Sequence, residues 1–280
     1  MVFFVSAVIT KMTRKIVEII QDMGNISFSF EVTPDIREEE LDYLKIEPLF
    51  FSITWHAQTH KCSNLEIAPL KLANSLINKG KNVLLHISCT NLRRDYVNML
   101  LTALQDKGIC NLFIILGENF DPSNTDFKSS QELIKYVRQL TGSYFCIGVA
   151  GFPNRDDKLL HLKEKIDSGA DFILTQAFFD HSILNNFIKK SKELNIHVPV
   201  IPGIFPFETK EELEGFVKLC KVHVTNDFME ILNMKSGIEV MTKFVDDMSK
   251  QLQIKHFHLF TLNKIQRIVN FIDKINSLID

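Results

Sequence analysis

The sequence predicts a (β/α)8 barrel, an α/β fold also called a TIM barrel, for two reasons. Short runs rich in Val, Ile and Phe alternate along the whole chain with amphipathic segments, and this order is typical of parallel sheets. The apolar runs number eight, which is the strand count of this barrel. A doubly wound open sheet is the alternative, but the phosphate-binding turn G-x-G-x-x-G that it needs after an early strand is absent. We therefore expect the barrel.

The elements follow one another without a linker or a low-complexity stretch, so we expect a single catalytic barrel domain over residues 1–280. An extra N-terminal helix is predicted around 13–22, inside an extension formed by residues 1–24, and another before the last strand, within 225–255. Several amphipathic segments end in Gly, which commonly terminates a helix. These segments are 67–80, 92–108 and 129–142. The predicted strands are 26–32, 48–55, 83–89, 111–118, 145–152, 172–179, 198–205 and 256–262.

Composition excludes several classes of protein. A net charge of −2 and a pI near 6.5 give no basic footprint for nucleic acid. Five scattered cysteines without a CxxC pair are typical of a reduced, cytoplasmic chain. The apolar N-terminus is too short to span a bilayer and has no preceding basic region, so no membrane association is expected. Met12 is a second possible start.

Polar side chains stand at the ends of five predicted strands, where a barrel of this type carries its chemistry. They are Glu31, Thr54, His86, Glu118 and Gln176. Glu31 is the most informative, because an ionised carboxylate in an apolar strand is costly unless it has a partner or a function. We expect one pocket at the barrel mouth, with an aromatic rim formed by Phe28, Trp55, Phe152 and Phe178.

Seven short motifs in register resemble methylenetetrahydrofolate reductase of the single-domain bacterial type. They are SFE (29–31), FFSITW (50–55), HISC (86–89), ILGE (115–118), GADFILTQAFFD (169–180), VIPGIFP (200–206) and FHLFTLN (257–263). The resemblance covers nearly the whole chain after residue 25. It implies a cytoplasmic flavoprotein oxidoreductase of one-carbon metabolism and methionine biosynthesis. Such an enzyme reduces 5,10-methylenetetrahydrofolate to 5-methyltetrahydrofolate with hydride from NADH or NADPH, passed through bound FAD.

The resemblance also implies roles for single residues. Glu31 matches the general acid that protonates N10 of the folate, a task that needs a carboxyl group with a raised pKa. Glu118 stands where an Asp is usual, beside the flavin pyrimidine and the pterin. Gln176 and Phe216 match substrate contacts. Lys264 replaces an Arg that would pair with the glutamate carboxylate of the folate, keeping the charge without the bidentate fork.

Flavin contacts are implied for a larger set of residues, with some departures. Leu116 stands in place of a usual Arg, Lys158 in place of an Asp, and Phe152 in place of a Tyr, while the loop 153–157 lacks an expected His. Each lost charge-assisted contact weakens binding, so we expect FAD to be bound loosely. The matching positions are Thr54, Trp55, Ala57, His86, Gly117, Glu118, Phe152 and Lys165.

Three alternatives stay open. The departures at Leu116 and Lys158 also suit a flavin-independent reductase that passes hydride directly from NADH to the folate. A protein that binds folate without catalysis is disfavoured by Glu31 and Gln176. A metal-dependent hydrolase is also disfavoured. Two histidines and a cysteine follow the second strand, and two more histidines lie on the last strand, but their spacing fits no strong zinc pattern. These residues are His56, His60, Cys62, His256 and His258. We expect folate and a nicotinamide as partners, no resident metal, and a homo-oligomer.

Overall fold

The computed structural model describes residues 13–42, 44–56 and 64–279, and within them the chain alternates strands and helices. The strands are β1 (Ser27–Val32), β2 (Phe51–Ile53), β3 (Val83–Ser88), β4 (Asn111–Ile115), β5 (Cys146–Gly151), β6 (Phe172–Thr175), β7 (Val200–Ile201), β8 (Gly203–Ile204) and β9 (His256–Phe260). The helices are α1 (Ile16–Gln21), α2 (Glu38–Asp42), α3 (Ala68–Asn78), α4 (Arg94–Asp106), α5 (Ser130–Thr141), α6 (Leu159–Asp167), α7 (His181–Glu193), α8 (Lys210–Cys220), α9 (Asn226–Ile231), α10 (Gly237–Leu252) and α11 (Ile265–Ile279).

The sheet closes into a barrel through its seventh strand, which is built in two pieces. The parallel order is β7-β6-β5-β4-β3-β2-β1-β9-β8, in which β7 pairs with β6 and β8 pairs with β9. Pro202 separates the two pieces because it has no N–H to donate, while its carbonyl accepts a hydrogen bond of 2.9 Å from the N–H of His258. The predicted strand at 198–205 is therefore two short strands. The predicted barrel is confirmed.

Alternation along the strands produces an inner core and an outer core. Outward side chains pack against the helices, and inward ones fill the barrel. Ile16 of α1 packs on the inner cluster, and its N–H donates to Asn111 Oδ1 at 2.9 Å. Helix α1 therefore closes the N-terminal end of the barrel. It lies within 13–22, where a helix was predicted. The inner cluster consists of Phe50, Leu84, Phe113, Cys146, Phe172, Leu174 and Ile201, with Ile16.

One side of the barrel interior is polar, where β1 lies beside β9. Ser27 Oγ shares a hydrogen bond of 2.9 Å with His256 Nδ1, and Ser29 Oγ shares one of 2.8 Å with His258 Nδ1. Burial lowers the pKa of His256 to about 3 and that of His258 well below its usual value. Both rings are therefore neutral members of a hydrogen-bonded core.

The segment between β8 and β9 holds three helices. Helix α10 packs against α7 and α11 in the outer ring, with the rings of Phe178 and Phe244 5.8 Å apart. The extra helix predicted within 225–255 is thus present, although the structure forms α9 and α10 there. No helix in the described ranges combines the length and the apolar character needed to cross a membrane.

Candidate active site

Glu31 lies near the end of β1 on its inward face, two residues beyond Ser29. Its carboxyl group makes no hydrogen bond or ion pair with any residue in 13–42, 44–56 or 64–279. Burial raises the pKa of Glu31 to about 7. A carboxyl group of this kind still holds a proton near neutral pH and can donate it.

The backbone around Glu31 is held by the turn that follows β9. The hydroxyl of Thr261 donates to the carbonyl of Glu31, and the N–H of Thr33 donates to Asn263 Oδ1 at 2.9 Å. Leu262 and Asn263 both have positive φ, at 48° and 56°, so this turn folds tightly back toward β1. The last strand of the barrel therefore fixes the position of the acid on the first strand.

Glu31 and Glu118 both lie close enough to the C-terminal end of α8 for their charges to act on Cys220. Cys220, the last residue of α8, is influenced by both carboxylates: burial raises the pKa of its thiol to about 11, and the charges of Glu31 and Glu118 contribute in the same direction. Glu118 itself is exposed in the loop after β4. The structure thus brings the two predicted carboxylates from opposite sides of the barrel to one mouth.

Thr54 and His86 lie at the mouth on neighbouring strands. His86 Nε2 shares a hydrogen bond of 2.7 Å with Ser52 Oγ, and its ring packs against Phe113 with centroids 4.8 Å apart. Burial, with a smaller contribution from His56, lowers the pKa of His86 to about 3, so the ring is neutral. Thr54 Oγ1 is buried without a hydrogen-bond partner in the described structure. A buried hydroxyl in that state is free to bond a ligand.

Gly117 makes a close turn at the end of β4. Its φ is +95°, and a Cβ at this position would overlap the hydroxyls of Ser88 and Thr90. Those hydroxyls donate to the carbonyl of Leu116, at 3.3 Å from Ser88 and 3.2 Å from Thr90. The turn therefore requires glycine, and it leaves the Leu116 side chain 41% exposed at the rim.

Gln176 contacts the C-terminal half of α8, and Phe216 belongs to that half. Gln176 Nε2 donates to the carbonyl of Cys220 at 2.7 Å. Phe216 is 4% exposed and stacks on Phe205 with centroids 3.9 Å apart, next to Phe260. In this conformation Phe216 is a packed residue of the aromatic layer beneath α8, and a contact with substrate stays a prediction.

Lys264 is bound to the N-terminal half of α8. Its ammonium group pairs with Glu212, and the guanidinium of Arg267 lies 3.3 Å from the same carboxylate. Burial alone would raise the pKa of Glu212, but hydrogen bonds from Lys264 and the Glu208 N–H, with the charge of Arg267, lower it to about 2. An anionic substrate group at Lys264 would therefore compete with an ionised Glu212.

Phe152 and Lys165 line a small pocket between β5 and α6, with a volume of about 30 Å³. Lys158 and Arg155 line the same pocket. Burial lowers the pKa of Lys165, and the neighbouring charge of Lys158 acts in the same direction. The pocket therefore joins an apolar floor to several cations.

The predicted aromatic rim is wrong for three of its four members. Phe28, Trp55 and Phe178 occupy outward positions and belong to the core between the barrel and its helices. Phe28 packs on Phe257, and Trp55 packs edge-on against Tyr96. Strand parity is the reason for Phe28 and Trp55, because residues an even number of positions from an outward residue also point outward. Phe178 lies beyond the end of β6, in the segment that leads into α7, where strand parity no longer applies. The Trp55 ring thus faces away from the mouth, and its flavin contact stays a prediction.

Ala57, His60 and Cys62 lie outside the described residues. Within the described ranges, no three His, Cys, Asp or Glu side chains are grouped closely enough to hold a metal ion. His256 and His258 instead bond to Ser27 and Ser29 inside the barrel.

Sequence reasoning missed several residues that support the site. Ser52 holds His86, while Thr261 and Asn263 hold the backbone of β1. Ser52 could have been found, because it shares the inward face with Thr54. The turn at 261–263 carries no such signal, since its partner lies at the other end of the sequence.

The fold and the site define an α/β barrel with an unpaired, protonatable carboxyl group at its C-terminal mouth, beside a basic pocket. A family model described as methylenetetrahydrofolate reductase matches residues 15–276. The chain belongs to this family.

Curated relatives carry the same family name. Methylenetetrahydrofolate reductase 2 of Saccharomyces cerevisiae is 28% identical over 96% of this chain and 50% of its own length. A probable methylenetetrahydrofolate reductase (NADH) of Oryza sativa is 29% identical, over 89% of this chain and 48% of its own length. The 5,10-methylenetetrahydrofolate reductase of Buchnera aphidicola is 27% identical, over 86% and 87%. The chain spans about half the length of the first two relatives.

A solved structure supports the fold. An uncharacterised protein from Clostridium thermocellum, described as binding two copies of 5-methyl-5,6,7,8-tetrahydrofolic acid, aligns with a TM-score of 0.65 at 16% identity. The alignment covers 93% of this chain and 98% of the other. At this identity the likeness concerns the fold alone.

Proposed function

We propose that this chain reduces 5,10-methylenetetrahydrofolate to 5-methyltetrahydrofolate, with hydride from NADH or NADPH passed through bound FAD and with Glu31 as the general acid. Membership of the family supports the substrate class. The observation that carries the proposal is the Glu31 carboxyl group, which is unpaired in the described structure and has a pKa of about 7.

Glu31 supplies the proton that the reaction consumes. The imidazolidine ring of the substrate opens when the bond between its methylene carbon and N10 breaks, and N10 leaves more readily when it is protonated. The Glu31 proton goes to N10, the positive charge remains on the N5–methylene unit, and hydride then adds to the methylene carbon. The turn at Thr261 keeps the donor in place during this transfer.

The residues at the mouth fit a flavin. When bound, FAD would accept a hydride from the nicotinamide and return it to the folate. Thr54 Oγ1 offers a buried hydroxyl without a partner in the described structure, and neutral His86 offers a ring held by Ser52. The turn at Gly117 brings backbone close to the mouth without a side chain in the way. Lys165 adds a cation in the neighbouring pocket.

The other predicted contacts follow from the same proposal. Glu118 would accept hydrogen bonds from the pterin, and Gln176 would exchange its bond to the Cys220 carbonyl for one to the substrate or the nicotinamide. Phe216 would cover the bound ligand, and Lys264 would pair with the glutamate of the folate. Homo-oligomerisation and a cytoplasmic location remain predictions.

A direct transfer of hydride from NADH to the folate, without flavin, is the second candidate. The observation that favours it is Leu116, which places an exposed apolar side chain at the rim where a cation would help to hold a diphosphate. The two candidates differ in one measurement. Rigorously flavin-free protein would show no folate reduction until FAD is added under the first, and full activity without FAD under the second.

A further inference from the structure

Arg267 is a buried cation near the start of α11, with 5% of its surface exposed. Burial lowers the pKa of its guanidinium, but an arginine keeps its charge in a protein. Its Nη1 lies 3.3 Å from Glu212 Oε2, on α8, and its Cζ lies 5.2 Å from the centre of the Phe205 ring. Burying a charge costs free energy, and a role in the site would explain why the chain keeps one here.

Neutralising Glu212 does not require Arg267. The ammonium group of Lys264 already pairs with Glu212 Oε1, and the N–H of Glu208 donates to Oε2 at 2.9 Å. Lys264 is exposed, so it provides its charge at little cost in desolvation. Among these side chains, what only Arg267 supplies is a hydrogen bond of 2.9 Å from its Nη2 to the carbonyl of Thr261.

Thr261 connects Arg267 to Glu31. Its carbonyl accepts the bond from Arg267, while its hydroxyl donates to the carbonyl of Glu31 and accepts from the N–H of Asn263 at 3.0 Å. The carboxyl group of Glu31 makes no hydrogen bond of its own in the described ranges. Its position therefore depends on its backbone and on packing, and the backbone is held by Thr261.

We propose that Arg267 is a positioning residue for Glu31, which fixes the turn at Thr261 against α8 and thereby keeps the acid in place at the mouth. The proposal rests on the function given above, in which Glu31 donates the proton. The guanidinium reaches Glu212 and Thr261 with the two ends of one planar group, and a lysine lacks this fixed fork. Because the C-terminal end of α8 also lies near Glu31, the link holds the helix and the acid together.

The first test measures the pKa of Glu31 by carbon-13 NMR titration of carboxyl-labelled glutamate, with Glu31→Gln to assign the signal. Arg267→Met removes the bond to Thr261 and keeps an apolar side chain. Lys274→Met is the matched control, because it removes a cation from an exposed position of the same helix. A loosened turn admits water to the carboxyl group, so in Arg267→Met the pKa should fall from about 7 toward 4.5, while the control should keep it.

The second test is kinetic. Arg267→Met should slow methylenetetrahydrofolate reduction about tenfold or more, because a displaced donor transfers its proton less often. Oxidation of NADH with an artificial electron acceptor needs no acid and should keep its rate. Thr261→Val removes the other bond of the link and should have the same effect. The double variant should be little slower than either single variant, since both act through one contact.

An unchanged Glu31 pKa in folded Arg267→Met would overturn the proposal, and so would a lowered pKa with full folate reduction. An equal loss in both reactions would assign Arg267 to the fold alone and would overturn it too. If the pKa falls and the wild type does not reduce the folate, Arg267 still positions Glu31 and the proposed function fails. Should Arg267→Met not fold, Arg267→Lys keeps the charge and loses the fork, and the same outcomes decide between them.

Discussion

Replacing Glu31 with Gln should stabilise the protein and disable it in the same step. A pKa of about 7, against an ordinary value of 4.5, means that the folded chain holds a proton which the unfolded chain has released. Stability is therefore lost as the pH rises from 4.5 to 7 and stays reduced above 7. The full shift corresponds to roughly 3 kcal/mol. Because Glu31 keeps a partly exposed edge at the mouth, we expect about 2 kcal/mol.

Glutamine cannot ionise, so Glu31→Gln should exceed the wild type in free energy of unfolding by about 2 kcal/mol at pH 8 and by less than about 1 kcal/mol at pH 5. Urea unfolding of the ligand-free protein at the two pH values measures this. Glu118→Gln is the matched control, since it makes the same change at an exposed carboxylate. Its stability should remain within about 0.5 kcal/mol of the wild type at both pH values.

The same variant should lose at least about a hundredfold in the rate of methylenetetrahydrofolate reduction, the contribution expected of a general acid. Oxidation of NADH with an artificial electron acceptor should persist, because hydride leaves the nicotinamide without a proton donor. Equal stability of Glu31→Gln and the wild type at pH 8 would refute the desolvated, protonated carboxyl group. Undiminished folate reduction would refute its role as the acid.

Three further predictions concern the flavin and the barrel core. Glu118→Gln should slow folate reduction and raise the flavin reduction potential, because it removes a negative charge near the ring. Folate kinetics and a redox titration measure the two effects, and no change in either would refute a role for Glu118 in the site. FAD added to purified protein should raise both activity and thermal midpoint, and Leu116→Arg should lower the dissociation constant for FAD; weaker binding in that variant would contradict the assignment. The free energy of unfolding should fall as the pH drops from 6.5 toward 3, because the histidines are protonated in the unfolded chain but stay neutral in the folded one. His86 and His256 should each contribute a loss of roughly 2 kcal/mol by pH 5. His258 should act in the same direction. Urea unfolding of the Glu31→Gln variant at pH 7 and pH 5 measures this loss without the titration of Glu31, and charged rings would instead give constant stability.

The barrel could be predicted from the sequence because each strand and helix carries its own local pattern. Runs that are apolar on both faces are typical of buried parallel strands, and the glycines at 80, 108 and 142 follow α3, α4 and α5 with positive φ. The division of the seventh strand at Pro202 was also visible in principle, since proline cannot donate to a ladder. The positions of α8, α9 and α10 depend on tertiary packing and could not be read locally.

The candidate site was predictable to a smaller extent. Strand ends identify which polar residues gather at the mouth, and Glu31 is found there. The aromatic rim was mispredicted because proximity to a strand end does not fix the direction of a side chain, whereas parity does, and parity turns Phe28 and Trp55 outward. The hydrogen bonds that hold the site join distant segments, as Thr261 joins Glu31, and no local pattern records them.

The contact between Thr261 and Glu31 joins residues 230 positions apart. Pairing of β1 with β9 is among the most distant contacts in the sequence, and contacts of this kind form late because a long loop must first close. A chain still emerging from the ribosome can complete β1 to β6 before the segment that holds the acid has been made. Damage that loosens β9 or the turn after it would displace the proton donor while most of the barrel stays folded. Activity therefore reports on the final step of assembly, and it should disappear before bulk measures of secondary structure change.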